Sequence, residues 1–149
     1  MALVFGNRER LTTIGKINWL FAEWCDYSEA GDQAELTISR SQGRDIVKGK
    51  ANNKLICGGT LEDAERQLAQ AVRKAINDYG QRALKAAQAK KTAMYLTNRL
   101  ANGSFSIVFT TPAPRGGSLR VEVEVNGRTS WPTQEQAMNA LKALYAPGK

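Results

Sequence analysis

The chain contains no histidine among its 149 residues. That one absence removes the Ser-His and Cys-His nucleophile systems and every histidine-ligated metal site. The two cysteines, Cys25 and Cys57, lie far apart and outside any CxxC pair. Two thiols without histidine do not complete a four-ligand zinc site. They read as small apolar side chains, reduced in a cytoplasmic protein, which is the expected location because Met1 to Arg8 lacks the pattern of a signal peptide.

Acid–base chemistry is left to paired carboxylates. Glu62, Asp63 and Glu65 cluster, but at the head of a predicted helix, where acids complement the helix dipole. Glu122 and Glu124 alternate with Val121, Val123 and Val125, so they take the solvent side of a strand. The glycine pairs Gly58-Gly59 and Gly116-Gly117 lack the spacing and the lysine of a phosphate-binding loop. The expectation is a protein with no catalytic residues, no metal ligands and no cofactor.

What remains is charge. The formal charge is +7. Residues 1–80 hold 11 Lys and Arg against 11 Asp and Glu, whereas residues 81–149 hold 10 against 3. The whole excess therefore lies in the second half. Arg82, Lys85, Lys90, Lys91 and Arg99 fall in a predicted acid-free helix over 81–101. Arg115, Arg120 and Arg128 lie in or beside a β segment, near Trp131. Clustered cations of this kind release counterions from a polyanion, and a tryptophan among arginines suits base stacking. The expected function is non-enzymatic binding of nucleic acid, DNA or RNA, through these nine residues. The alternative is a small inhibitor or adaptor, of the type encoded by phages and mobile elements, that docks an acidic protein surface. No apolar run is long enough to span a membrane. In the first half, Trp19 falls off the apolar stripe of its helix and is a candidate contact for a partner or a second copy.

These side chains need a scaffold, and the sequence predicts one built twice. Thr60–Leu68 and Thr133–Leu141 both read T-x-E-x-A-x-x-x-L. In each, the threonine is an N-cap, the acid sits in the first turn, and Ala and Leu face a core. Strand-like segments precede the first copy at 34–39, 45–50 and 54–57, and the second at 104–109, 119–125 and 128–131. Asn126-Gly127 is a strong hairpin signal. Residues 8–25 space Leu11, Ile14, Ile17, Leu20, Phe21 and Trp24 three or four apart, the mark of an amphipathic helix. Asn102-Gly103 reads as the stop of the helix over 81–101. Gly80 either breaks the helical stretch from Leu61 to Leu100 or sits inside one continuous helix.

The order α-β-β-β-α resembles that of the double-stranded RNA-binding domain. So does the run Leu119 to Leu144, with its Val-Asn-Gly turn, short return strand and alanine-spaced helix. The lysine-rich start of that family's last helix has no counterpart: Thr60–Arg66 carries three acids and Thr133–Met138 no lysine. The expected fold is α+β, with two similar α-β-β-β-α halves, 1–80 and 81–149, of mainly antiparallel sheet, packed as one compact unit.

Overall fold

The computed structural model describes residues 2–145, with side chains from Arg8 onward. The fold is α+β, with two three-stranded antiparallel sheets. The chain divides into two compact units, Met1–Tyr79 and Gly80–Lys149.

The first unit opens with α1 (Ala2–Tyr27), longer than the periodicity predicts. The β-branched Thr12 and Thr13 are accommodated by donating their hydroxyls to the carbonyls of Arg8 and Glu9, one turn back. Strands β1 (Ala34–Ser41), β2 (Arg44–Ala51) and β3 (Lys54–Gly59) follow in sequential antiparallel order. Their tight turns place Gln42-Gly43 and Asn52-Asn53 at positive φ. Helix α2 (Leu61–Ala89) then begins on its expected cap, the Thr60 hydroxyl accepting from the Asp63 N–H at 3.2 Å. Ile17 of α1, Val47 and Cys57 of the sheet, and Ala64 and Leu68 of α2 form the core. Arg10 on α1 grips Asp45 on β2 through two hydrogen bonds, of 2.6 and 2.9 Å.

Helix α2 runs through Gly80 without a break. A Cβ there would lie 2.7 Å from a methyl of Val121, so the glycine serves close approach to the second sheet, not helix termination.

The second unit corrects the predicted elements in two places. The helix expected over 81–101 ends at Ala89. Its end is a Schellman turn: the Lys91 N–H bonds the Gln88 carbonyl, the Thr92 N–H bonds the Ala87 carbonyl, and Lys91 takes φ 57°. Three residues later the chain becomes β4 (Tyr95–Arg99), which pairs with β5 (Phe105–Pro112), and β5 pairs in turn with β6 (Ser118–Glu122). Asn102-Gly103 is thus the turn between β4 and β5, not a helix stop. The Asn102 side chain accepts from the Ser104 N–H at 3.0 Å. The second correction is the return segment 128–131, which forms no strand. Val125 and Arg128 bridge across Asn126-Gly127, and Trp131 then pairs with Phe105 of β5. Pro132, with no N–H to offer, lies next to that bridge, and helix α3 (Gln134–Tyr145) follows on its Thr133 cap.

One face of the second sheet carries the core. Ile107, Phe109, Val121 and Val123 meet Leu84 of α2, Ala137 and Leu141 of α3, and Trp131.

Candidate nucleic-acid interface

The register of the second sheet sorts the basic residues by position. β4 runs antiparallel to β5 with Tyr95 opposite Phe109, so the start of β4 lies at the end of β5. β6 starts at that same end, with Ser118 opposite Pro112 and Arg120 opposite Thr110. Lys90 and Lys91, in the turn that feeds β4, and Arg115, in the turn between β5 and β6, therefore join Arg120 at one end of the sheet. Lys90, Lys91, Arg115 and Arg120 are all exposed. Between Tyr79 and Val121 the chain contains no acidic residue.

Arg99 and Arg128 belong to the opposite end. Arg99 sits opposite Phe105, the first residue of β5, and Arg128 bridges Val125 beside the Trp131–Phe105 pair. Phe105 and Thr110 are five strand steps apart, about 17 Å. The expected run of five cations along one helix is thereby corrected. Only Arg82 and Lys85 lie on α2, Arg82 half-buried and Lys85 exposed. Lys90 and Lys91 occupy its terminal turn, and Arg99 is in a strand.

Trp131 is placed differently from its expected role. Only 6% of its surface is exposed, and the Arg128 guanidinium lies 5.9 Å from its ring centroid. The indole is a core element with a cation over it, so its faces are not open to a base. The aromatic ring that does accompany the basic end is Tyr145. Its hydroxyl accepts from the Tyr95 N–H at 2.8 Å, its ring meets Tyr95 edge-on at 5.2 Å, and half of its surface stays exposed. That contact also fixes the direction of α3, whose last turn lies at the basic end. Lys142, exposed in that turn, joins the cluster. Sequence reasoning missed both residues, because only the pairing of β4 and the direction of α3 bring them to the site. Lys142, in the last turn of α3, also complements the helix dipole, as do Lys90 and Lys91 just beyond the end of α2.

The carboxylates and thiols singled out in the sequence occupy separate places. Glu122, exposed on β6, lies opposite the buried Val108, and Glu124 follows beyond the strand. Asp63 is held below the usual carboxylate range by the Thr60 hydroxyl and then by Arg66, at 3.0 Å. It is engaged in capping α2. Burial pushes the Cys57 and Cys25 thiols up, which disfavours the thiolate needed of a nucleophile. Both cysteines are free thiols. Among the described residues no group of three or more Cys, Asp or Glu is arranged to hold a metal ion. No helix among them is long and apolar enough to cross a membrane.

Compared with family models, curated proteins and solved structures, the chain matches none.

Proposed function

We propose that this is a non-enzymatic nucleic-acid-binding protein that holds the phosphate backbone with the basic end of its second sheet. The observation that carries the reading is the convergence of Lys90, Lys91, Arg115, Arg120 and Lys142 from four separate segments onto one end, in a stretch largely free of acid. Helix-dipole complementarity accounts for the three lysines but not for Arg120, which lies on a strand. Tyr145 offers a half-exposed ring beside the cations, where a base can stack. Binding of this kind is electrostatic and indifferent to sequence. The reading takes the two units as versions of one α-β-β-β-α plan, each closing on a Thr-capped helix, with the basic surface confined to the second.

Fluorescence anisotropy with short DNA and RNA duplexes over a range of salt tests it. Four or five phosphates neutralised give a log–log slope of about −4. The double variant Lys90→Ala/Arg120→Ala should shrink that slope by about two and weaken different sequences alike. Arg99→Ala/Arg128→Ala, at the other end of the sheet, should leave it within about half a unit. Absence of binding at low salt, or equal losses from both pairs, overturns the proposal. A partner that survives nuclease treatment in a pull-down would instead identify an acidic protein as the ligand of the same surface.

A further inference from the structure

The first unit carries a surface of a different kind. The outward side of α1 presents Arg8, Thr12, Gly15, Trp19, Ala22 and Asp26, all exposed, with Leu11 beside them. At 100° per residue Arg8 and Asp26 fall on one line along the helix, five turns and about 27 Å apart. Gly15 and Trp19 straddle that line by about 20° on either side, and Thr12 and Ala22 by about 40°. Trp19 is 61% exposed and Leu11 63%.

Gly15 is the informative residue. A glycine inside a helix is less favourable than an alanine there. Among the described residues no close approach requires it, because a Cβ at this position would meet no atom within 4 Å. A groove of about 500 Å³ opens beside it, lined by Lys16, Trp19 and Leu20 of α1 and by Glu65 and Ala69 of α2. A helix glycine next to an open apolar groove marks a place where another chain comes close.

The pattern also names that chain. Turned end for end about its own midpoint, the stripe is complementary to itself. Trp19 falls opposite Gly15, Thr12 opposite Ala22, and Arg8 opposite Asp26, and each match occurs twice. Large meets absent, and positive meets negative. That is the requirement of an isologous two-fold interface. We propose that α1 is a homodimerisation helix, packed antiparallel against α1 of a second copy, with each Trp19 indole seated over the other copy's Gly15 in the groove. A tryptophan buried twice at the centre of a small interface is the expected energetic anchor, with charge pairs at the rim setting the register.

Sedimentation equilibrium of the full chain tests this, over about 1 to 300 μM, the range in which an interface of this modest size should dissociate. The expected result is a concentration-dependent shift from the 16.3 kDa chain toward twice that mass. Gly15→Gln puts a side chain into the seat from a Cβ that meets no described atom within 4 Å, and it favours the helix, so it should remain monomeric throughout while melting no lower than the parent. Trp19→Ala should weaken association at least tenfold. Arg8→Glu and Asp26→Arg should each weaken it, and the double exchange should recover it. A parent that stays monomeric to the highest concentration, or Gly15→Gln dimerising like the parent, overturns the proposal. Failure of the double exchange to recover association overturns the antiparallel register.

Discussion

Replacing Gly80 with alanine sets two effects against each other in one methyl group. Helix propensity favours the change, since glycine within a helix is about 1 kcal/mol worse than alanine. Packing opposes it. The new Cβ would stand 2.7 Å from Val121 Cγ2 and 3.4 Å from Leu119 Cδ2. Carbon atoms in good contact sit about 3.5 to 4.0 Å apart, so close to 1 Å of room must be found. Val121 cannot supply it by swinging away, because it is β-branched, 6% exposed and fixed in a paired strand. Overpacking of this kind costs about 1 to 3 kcal/mol, and a rigid neighbour puts it toward the upper part of that range. Gly80→Ala should therefore lose about 1 to 2 kcal/mol net. Urea unfolding, followed by far-ultraviolet dichroism and by tryptophan fluorescence, measures it. Val121→Ala should be costly in the parent and clearly less costly in the Gly80→Ala background, because removing its methyls opens the space the alanine needs. A coupling of about 1 kcal/mol between the two positions is expected. A Gly80→Ala protein as stable as the parent, with no coupling to Val121, would refute the close-approach account and leave the glycine unexplained.

Two further outcomes follow from single observations. Lys91 holds the left-handed C′ position of α2 at φ 57°, a conformation glycine adopts without strain. Lys91→Gly should raise stability by up to about 1 kcal/mol in urea unfolding while reducing the salt slope of nucleic-acid binding by about one unit, a dissociation of stability from binding that a merely damaged fold would not give. Asp45 is held below the ordinary carboxylate range by its hydrogen bonds to Arg10. The stability this pair confers is complete above the unfolded carboxylate value of about 3.9 and is lost as pH falls through the lower folded value. Asp45→Asn should lower the melting temperature at pH 7 and show a shallower loss between pH 5 and pH 2 than the parent.

The parts of the fold that local rules control were legible. Both helix caps, at Thr60 and Thr133, are where the T-x-E-x-A-x-x-x-L pattern puts them, because a cap depends only on residues within one turn. The first sheet forms over the three predicted segments, each strand two residues longer than expected, with a bulge at Gly49-Lys50 that alternation does not announce. The second sheet was misread because composition and turn chemistry pointed to the wrong elements. Ala, Lys and Gln up to Lys91 are strong helix formers, and with Asn102-Gly103 as the stop they predict a helix across β4. The local signal against it was the β-favouring Tyr95-Leu96-Thr97, together with a lysine pair suited to a helix C-terminus. Asn-Gly serves equally well after a helix and between strands, and only the pairing partner decides.

That misreading matters most at the candidate site, because a helix and a sheet distribute the same charges differently. On a continuous helix, Lys90 and Lys91 would diverge by about 100° and Arg99 would sit more than two turns away, so no single face could gather them. Ending the helix at Ala89 and turning the chain back as β4 places Lys90 and Lys91 against the end of β5, where β6 and its preceding turn contribute Arg115 and Arg120. The same turn moves Arg99 about 17 Å away, to the start of β5. Net charge per half was readable from composition, but the surface it forms depends on strand register, which brings Lys90 to the same end as Arg120, 30 positions along the chain. A linear count of cations therefore overestimates how many can meet one ligand. It also misses Lys142 and Tyr145, which reach the basic end only because α3 runs back along the sheet to set the Tyr145 hydroxyl against the backbone of β4.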